Sequence, residues 1–359
     1  MKPSHFTEGR DNNFNLIRII AAFAVLVDHS YALSLGSAEA VPTIIGMSLA
    51  VLPVDVFFVT SGFLVTASLL KRQSAIEFVL ARVLRIYPAL LVMQVLVVFG
   101  LGLFFTTAGR ASYLVNYHTL LYWIKGSTLV TGVDQTLPGV FQNNPFKNTV
   151  NGSLWTMPNE IGMYAILVGI WAVLYLVPRV RLRAFKIIIV GCATVAALLL
   201  LVLHIFLIQK GEFLRLFVMF FSGAALFVVK DRIVLSRSVF LALIMAVPSL
   251  ALFGEPVFYA ACVLALPYTL IYIAYVPSGL VRIYNQVGDY SYGVYIYAWP
   301  VQQSIAALVP GVSVLAMLIG SASVTIVLAA LSWHLIEQRA LRLKGLYAGY
   351  ARRVFPASI

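Results

Sequence analysis

An arginine and a histidine, Arg18 and His29, bracket the apolar run RIIAAFAVLVDH near the start of the chain. Charged groups inside a membrane-spanning helix are costly, and those that occur there usually serve a function. If the run is helical, the two side chains share one face to within about 20° and lie roughly 16 Å apart along the axis. Asp28 points about 100° away, so it need not be the partner of His29. The alternatives are a snorkelling anchor for Arg18 and a hydrogen-bonded core histidine for His29.

Two carboxylates fall inside other apolar stretches. Asp55 lies in PVDVFFVTSGFL and Glu160 lies in SLWTMPNEIGMY. If both stretches enter the membrane from outside, these carboxylates converge with His29 in its outer half. A histidine beside a carboxylate is a common general base for a hydroxyl group. Structural ion pairing between helices is the alternative for each acid.

Arg82 and Arg85 stand three residues apart, on one face of a helix that enters the membrane from the inner side. Together with Arg18 they lie at the same level. The planar guanidinium group suits phosphate oxygens, so three of them could hold a phosphorylated ligand from the cytoplasm. The alternative is the positive-inside rule, which alone would also place arginines at the cytoplasmic end of a membrane helix. The combined pattern indicates an anionic donor bound on the inner side and a base further out, which is typical of group transfer through a membrane.

The composition determines what kind of scaffold positions these residues. Hydrophobic residues make up 61% of the 359 residues, charged residues make up 11%, and the mean hydropathy is +0.95. These values exclude a water-soluble domain and predict an all-α polytopic membrane protein. We predict one membrane domain over residues 1–340 and a short basic cytoplasmic tail over residues 341–359. The ten predicted spans are 14–35, 45–70, 84–106, 153–177, 185–208, 212–229, 237–254, 257–276, 290–309 and 312–335.

Lysine and arginine set the orientation of these spans. With both termini in the cytoplasm, 20 of the 25 basic residues fall in inner segments, as the positive-inside rule expects. The net charge of +12 therefore reflects topology and contact with anionic membrane lipids. The basic residues are dispersed, so they do not indicate a nucleic-acid partner. The longest outer segment, 107–152, is rich in Asn, Gln and aromatic residues, which suit a sugar-like acceptor; a plain connector is the alternative.

Taken together, these residues resemble the acyltransferase-3 family of integral-membrane acyltransferases over nearly the whole chain. The sequence is most similar to the stand-alone form of bacterial glycan O-acetyltransferases. Many members carry a histidine in a late helix, and Ala298 stands at that position here. The five motifs that carry the resemblance, in order, are Arg18 with His29, VDVFFVTSGFLV, Arg82-Val-Leu-Arg85, SLWTMPNEIGMY and HLIEQRALRLK.

The resemblance implies a donor and an acceptor. The donor is a cytoplasmic acyl-CoA, most often acetyl-CoA, used as a co-substrate, and no permanently bound cofactor is expected. The acceptor is a hydroxyl of an extracytoplasmic glycan, such as lipopolysaccharide O-antigen, capsule, exopolysaccharide or a lipid-linked precursor. The enzyme would lie in the bacterial cytoplasmic membrane. Acylation of a small molecule such as a macrolide, and acyl groups other than acetyl, remain open.

The resemblance also implies roles for individual residues. We expect His29 to act as the base or as the carrier of an acyl group, with Glu160 and Asp55 as the catalytic carboxylates. Arg18, Arg82 and Arg85 would bind the phosphates of acyl-CoA, and no spacing of residues predicts a metal site. Residues that could contact the oxyanion or the acceptor are Ser61, Tyr164, Tyr295, Trp299 and Gln302.

Two rival classes fit parts of this pattern. A transporter or flippase of lipid-linked sugars would also use buried charges among many helices, but the sequence shows no internal repeat. A membrane subunit without chemistry would have no use for Arg18, His29, Arg82, Arg85 and Glu160. A homodimer is compatible with the sequence, although no feature of it indicates one.

Overall fold

The computed structural model describes residues 11–44, 47–207 and 211–343. Within these ranges the chain is mostly helical, as predicted. One short antiparallel hairpin precedes the second long helix, with strand β1 (Thr43–Ile44) paired to β2 (Met47–Ser48). The predicted basic tail lies outside the described residues from position 344 onward.

The α-helices in the described part of the chain range from short turns to membrane-length rods. They are α1 (Phe14–Leu35), α2 (Val51–Arg72), α3 (Ala75–Val95), α4 (Leu103–Phe105), α5 (Arg110–Val115), α6 (Tyr117–Thr128), α7 (Met157–Val173), α8 (Arg181–Leu207), α9 (Glu212–Val228), α10 (Arg237–Ser249), α11 (Glu255–Tyr275), α12 (Tyr284–Val287), α13 (Ser291–Leu308) and α14 (Val314–Ser332).

Several of these helices are extended by a turn of different pitch. The π-helical segments are Leu96–Gly102, which joins α3 to α4, and Trp333–Glu337, which follows α14. The 3₁₀ segments are Ala38–Ala40, Gly152–Thr156, Leu174–Leu176, Leu250–Phe253 and Gly279–Arg282.

The described residues contain seven helices that are long and apolar enough to cross a membrane. They are Phe14–Leu35, Val51–Arg72, Ala75–Phe105, Gly152–Leu176, Arg181–Ile205, Glu255–Tyr275 and Val314–Leu343. Each overlaps one of the predicted spans. The other three predicted spans overlap the helices α9, α10 and α13, each of which misses the length or the hydropathy of a membrane-crossing helix, so the count of ten stays a prediction. The protein is therefore a helical membrane protein.

Helices α2 and α9 form the most extensive helix pair of the structure, and two glycines bring their backbones together. A β-carbon on Gly62 would lie 1.9 Å from the carbonyl oxygen of Phe220, and one on Gly223 would lie 2.1 Å from that of Val59. Small residues permit such close approach between helices in a membrane. Helix α1 packs against α2, α13 and α14, and its polar residues Asp28 and Ser30 are buried.

The outer segment between α6 and α7 has little regular structure, but it is fastened to α13 by buried amide groups. The Gln303 side chain donates to the carbonyl oxygens of Phe146 and Thr149, at 2.8 and 2.6 Å. Asn144 in turn donates to the side-chain oxygen of Gln303 at 2.6 Å. Buried polar groups need such partners, so these bonds hold the segment as a fixed cap on one end of the bundle.

Replacing Gly223 with alanine should destabilise the protein, because the added methyl group would meet backbone atoms that cannot rotate away. Overpacking of a core costs about 1–3 kcal/mol, and thermal unfolding in detergent should show a lower Tm. Gly169→Ala is the matched control, because a β-carbon there meets nothing within 4 Å and alanine favours helix. Equal melting temperatures for the two variants would contradict the close contact.

Candidate functional site

His29 lies in the second half of α1 and lines a cavity of about 340 Å³. The ring of Trp299 approaches the imidazole edge-on, with 4.6 Å between the ring centroids. Nδ1 of His29 is buried and has no hydrogen-bond partner among the described residues. An unpaired ring nitrogen in a cavity can accept a proton from, or donate one to, a bound hydroxyl group.

The cavity of His29 contains a second unpaired polar group, the hydroxyl of Ser153. Its Oγ is buried without a partner among the described residues. The 3₁₀ turn Gly152–Thr156 holds Ser153 in place, because the hydroxyl of Tyr295 donates to the carbonyl oxygen of Ser153 at 2.6 Å. Ser153 was not among the site residues predicted from the sequence. Its signal was its place at the head of the SLW motif.

Glu160 is held by two hydroxyl groups. Ser61 donates to its Oε1 at 3.0 Å, and the hydroxyl of Tyr164 donates to the same oxygen. Ser61 and Tyr164 are themselves 2.8 Å apart. The guanidinium group of Arg82 lies over the ring of Tyr164, 6.0 Å from its centroid. Three predicted site residues and one predicted arginine thus form a single cluster.

Glu160 and His29 do not contact each other. Glu160 lines a smaller cavity of about 30 Å³, together with Arg18. The two cavities adjoin, since Val54 and Tyr295 line both of them. The predicted pairing of Glu160 with His29 is therefore absent from the described structure, because Glu160 is already bonded to hydroxyls from α2 and from its own helix.

The three predicted donor arginines differ in their partners. The Nε atoms of Arg18 and Arg82 are buried and have no hydrogen-bond partner among the described residues. Arg85 instead bonds two carboxylates, Asp289 at 2.5 Å and Glu337 at 2.7 Å. Two carboxylates therefore match the charge of Arg85, and its role in donor binding stays a prediction.

Arg85 joins the middle of α3 to the start of α13 and to the π-helical turn after α14. Its side chain is 15% exposed, and those of Asp289 and Glu337 are 14% and 1% exposed. Burial would raise the pKa of Asp289, but the charges of Arg85 and Arg18 and the hydrogen bonds from Ser291 outweigh it. The pKa of Asp289 therefore lies below its usual range, and the carboxylate stays ionised at neutral pH.

Asp55 also forms an ion pair. Its Oδ1 lies 2.6 Å from Nη1 of Arg215, whose Nη2 lies 2.5 Å from Glu212. This is the structural pairing between helices that the sequence left open as the alternative to catalysis. Asp55 does not contact His29 or Glu160 among the described interactions, although Arg215 and Glu212 line the cavity of His29.

The remaining predicted contacts divide into two groups. Tyr295 and Trp299 border His29, as described above. Gln302 instead donates to the carbonyl oxygen of Leu26 at 2.9 Å and to Ser30 at 2.8 Å, so it fastens α13 to α1.

Asp28, the neighbour of His29 in the chain, has a structural role. It accepts hydrogen bonds from the Ser48 hydroxyl at 2.6 Å and from the backbone N–H of Ala50 at 2.9 Å, and thereby fixes the start of α2.

The residues that line these cavities all lie in the part of the chain that matches a known family. A family model described as an acyltransferase domain, that of the acyltransferase-3 family, matches residues 11–333. The O-acetyl transferase of Shigella phage Sf6 is 29% identical over 345 residues, which span 92% of this chain and 96% of that protein. Nodulation protein 10 of Rhizobium leguminosarum bv. viciae is 31% identical over 183 residues, 48% of each chain. No solved structure matches this chain.

Arg85→Gln should lower the stability of the protein, because it leaves two buried carboxylates without their cation. Removing one partner of a buried ion pair costs about 3–5 kcal/mol, and the Tm in detergent reports the loss. Arg339→Gln is the control, since Arg339 is exposed two positions beyond Glu337 and such changes usually stay within about 0.5 kcal/mol. An Arg85→Gln protein as stable as the control would argue against a structural role for these ion pairs.

Proposed function

Because the chain belongs to the acyltransferase-3 family of membrane acyltransferases, we propose that it moves an acyl group from cytoplasmic acyl-CoA to a hydroxyl of an extracytoplasmic glycan. The similarity to a phage O-acetyl transferase supports acetyl as the acyl group. The acceptor would be a surface polysaccharide such as O-antigen, capsule or exopolysaccharide. The enzyme would need no permanently bound cofactor and no nucleic acid.

The proposed topology has ten spans in the bacterial cytoplasmic membrane, with both termini in the cytoplasm. Two observations support it. Each predicted span coincides with a helix, and 20 of the 25 basic residues lie in the segments assigned to the inner side. In this orientation, Arg18 and Arg82 lie toward the cytoplasm and His29 lies toward the outside.

One observation carries the proposal: His29, whose Nδ1 has no partner among the described residues, lines a cavity that adjoins the cavity of Arg18. A reaction that joins an inner donor to an outer acceptor needs such a pair of adjoining spaces. Val54 and Tyr295 form the wall between them. We assign this wall as the place where the pantetheine arm of the donor passes outward to bring its thioester to His29.

Arg18 and Arg82 would bind the phosphate groups of the donor. Both carry a buried Nε without a partner among the described residues, and arginine forms strong, paired hydrogen bonds with phosphate. Glu160, Ser61 and Tyr164 would act as positioning residues, because Tyr164 lies under Arg82 and bonds Glu160. Arg85 has no part in donor binding in this scheme.

His29 would act as the general base. Its neutral imidazole takes the proton of the acceptor hydroxyl while the hydroxyl oxygen attacks the thioester carbon. The carbonyl oxygen becomes an oxyanion, and the hydroxyl of Ser153 in the same cavity is the donor assigned to it. The carbon–sulfur bond then breaks, the thiolate takes the proton from the imidazolium, and an ester and free CoA remain. An acyl-His29 intermediate is the alternative route.

His29→Ala should abolish acyl transfer while the protein stays folded. We would express it in a bacterial host whose own gene is deleted, and record O-acetyl signals of the surface polysaccharide by proton NMR. The control is His118→Ala, which changes an exposed histidine of α6 and should retain the wild-type signals. Normal O-acetylation by a His29→Ala protein would refute the assignment of the base.

Arg82→Gln should weaken donor binding, because a charged hydrogen bond to phosphate is lost. Such bonds contribute about 1.5–3 kcal/mol, so the Kd of acetyl-CoA for the purified protein should rise at least about tenfold. Arg110→Gln, at an exposed outer position, is the matched control and should bind acetyl-CoA as the wild type does. An unchanged Kd for Arg82→Gln would mean that Arg82 serves topology alone.

A further inference from the structure

A third cavity, of about 230 Å³, lies beside the cavity of His29. Val51, Glu212 and Arg215 line both of them. The three cavities therefore follow one another through the bundle. The first contains Arg18 and Glu160, the second contains His29, and the third begins beyond Arg215. In the proposed topology the third cavity lies at the outer ends of α2, α8, α9 and α11.

The third cavity contains a buried histidine that the proposed reaction does not use. His204 is only 3% exposed, and its Nε2 has no hydrogen-bond partner among the described residues. The closest carboxylate oxygen, Oε1 of Glu255, is 3.6 Å away, which is beyond a hydrogen bond. A buried polar atom without a partner requires an explanation, and a bound ligand is one.

The other lining residues suit a sugar. The ring of Tyr259 lies against that of His204, with centroids 4.0 Å apart and planes inclined by 30°, so the wall is a broad aromatic surface. Glu212 and Glu255 supply carboxylate oxygens that accept hydrogen bonds from hydroxyl groups. Apolar and aromatic walls with a few placed polar groups are typical of small-molecule sites.

The charge of the cavity restricts which sugar it can take. Arg215 is already bonded to Asp55 and Glu212, so its cation is matched by carboxylates. Arg215 is the only arginine or lysine among the described residues that line this cavity. An acidic sugar would therefore find no uncommitted cation there, whereas a neutral sugar needs none. The volume of the third cavity corresponds to that of roughly seven or eight water molecules in the liquid. The cavity therefore has room for one sugar ring.

We propose that this third cavity binds a neutral sugar ring of the acceptor, with His204 donating or accepting a hydrogen bond at one of its hydroxyls. The bound ring then directs the hydroxyl to be acylated past Arg215 to His29. This inference rests on the proposed function. It assigns acceptor recognition to α8, α9 and α11, and it keeps donor recognition at Arg18 and Arg82.

The test is the acceptor dependence of His204→Phe, which keeps an aromatic ring and removes both nitrogens. The acceptor probe is the neutral surface polysaccharide of the deletion strain, freed of O-acyl groups by mild alkali. The KM for this acceptor should rise at least about tenfold, while the Kd of acetyl-CoA should stay at the wild-type value. His118→Phe makes the same change at an exposed position of the outer segment and should leave both values unchanged.

Glu212→Gln provides a second variant in case His204→Phe does not fold, because the Glu212 side chain is 56% exposed. It should also raise the acceptor KM without changing the Kd of acetyl-CoA. An unchanged acceptor KM in both folded variants would overturn the assignment of the third cavity, and so would equal effects on donor and acceptor. Failure of the wild-type protein to acetylate the polysaccharide would instead refute the proposed function itself.

Discussion

The wall between the cavity of His29 and the cavity of His204 depends on the buried ion pair between Asp55 of α2 and Arg215 of α9. Two charges removed from water are costly, and their attraction offsets that cost only when geometry and further hydrogen bonds are favourable. Here the glycine contact between α2 and α9 brings the two side chains to 2.6 Å. The same arginine also bonds Glu212. Val51, Glu212 and Arg215 line both the second and the third cavity, and the bond to Asp55 holds Arg215 in that shared wall.

A second cluster of buried ion pairs surrounds Arg85. Arg85 is neutralised by Asp289 and Glu337 and joins α3 to the start of α13 and to the π-helical turn after α14. Arg18 and Arg82 have no ion pair of this kind among the described contacts. An arginine matched by two carboxylates has little remaining attraction for a phosphate, whereas one that faces hydroxyls and aromatic rings retains it. The two ion pairs therefore distinguish Arg85 from Arg18 and Arg82, the arginines for which donor binding is proposed.

The sequence predicted the helices and part of the site, for reasons that can be traced to particular residues. Arg18 and His29 share a helix, so helical geometry alone placed them on one face. The partners of Asp55 and Arg85 are 160 and 204 or more positions away in the chain, and no local pattern identifies such a pair. The predicted depth in the membrane placed the side chains of Glu160 and His29 at the same level. Depth does not determine which neighbouring helix a side chain faces. Gln302 was predicted as a possible site contact from the late-helix motif, and in the structure its amide group donates to Leu26 and Ser30 of α1.

The position of His29 depends on the outer segment as well as on its own helix. Trp299 packs against the imidazole, and its Nε1 donates to the carbonyl oxygen of Thr149 at 3.1 Å. Gly152 makes this arrangement feasible, because a β-carbon there would lie 2.7 Å from the Trp299 ring. After Thr149 the segment leads into the 3₁₀ turn Gly152–Thr156, whose Ser153 lines the cavity of His29. A stretch with little regular structure therefore fixes the proposed base from one side and the proposed oxyanion donor from the other, and it can do so because buried amides fasten it to α13.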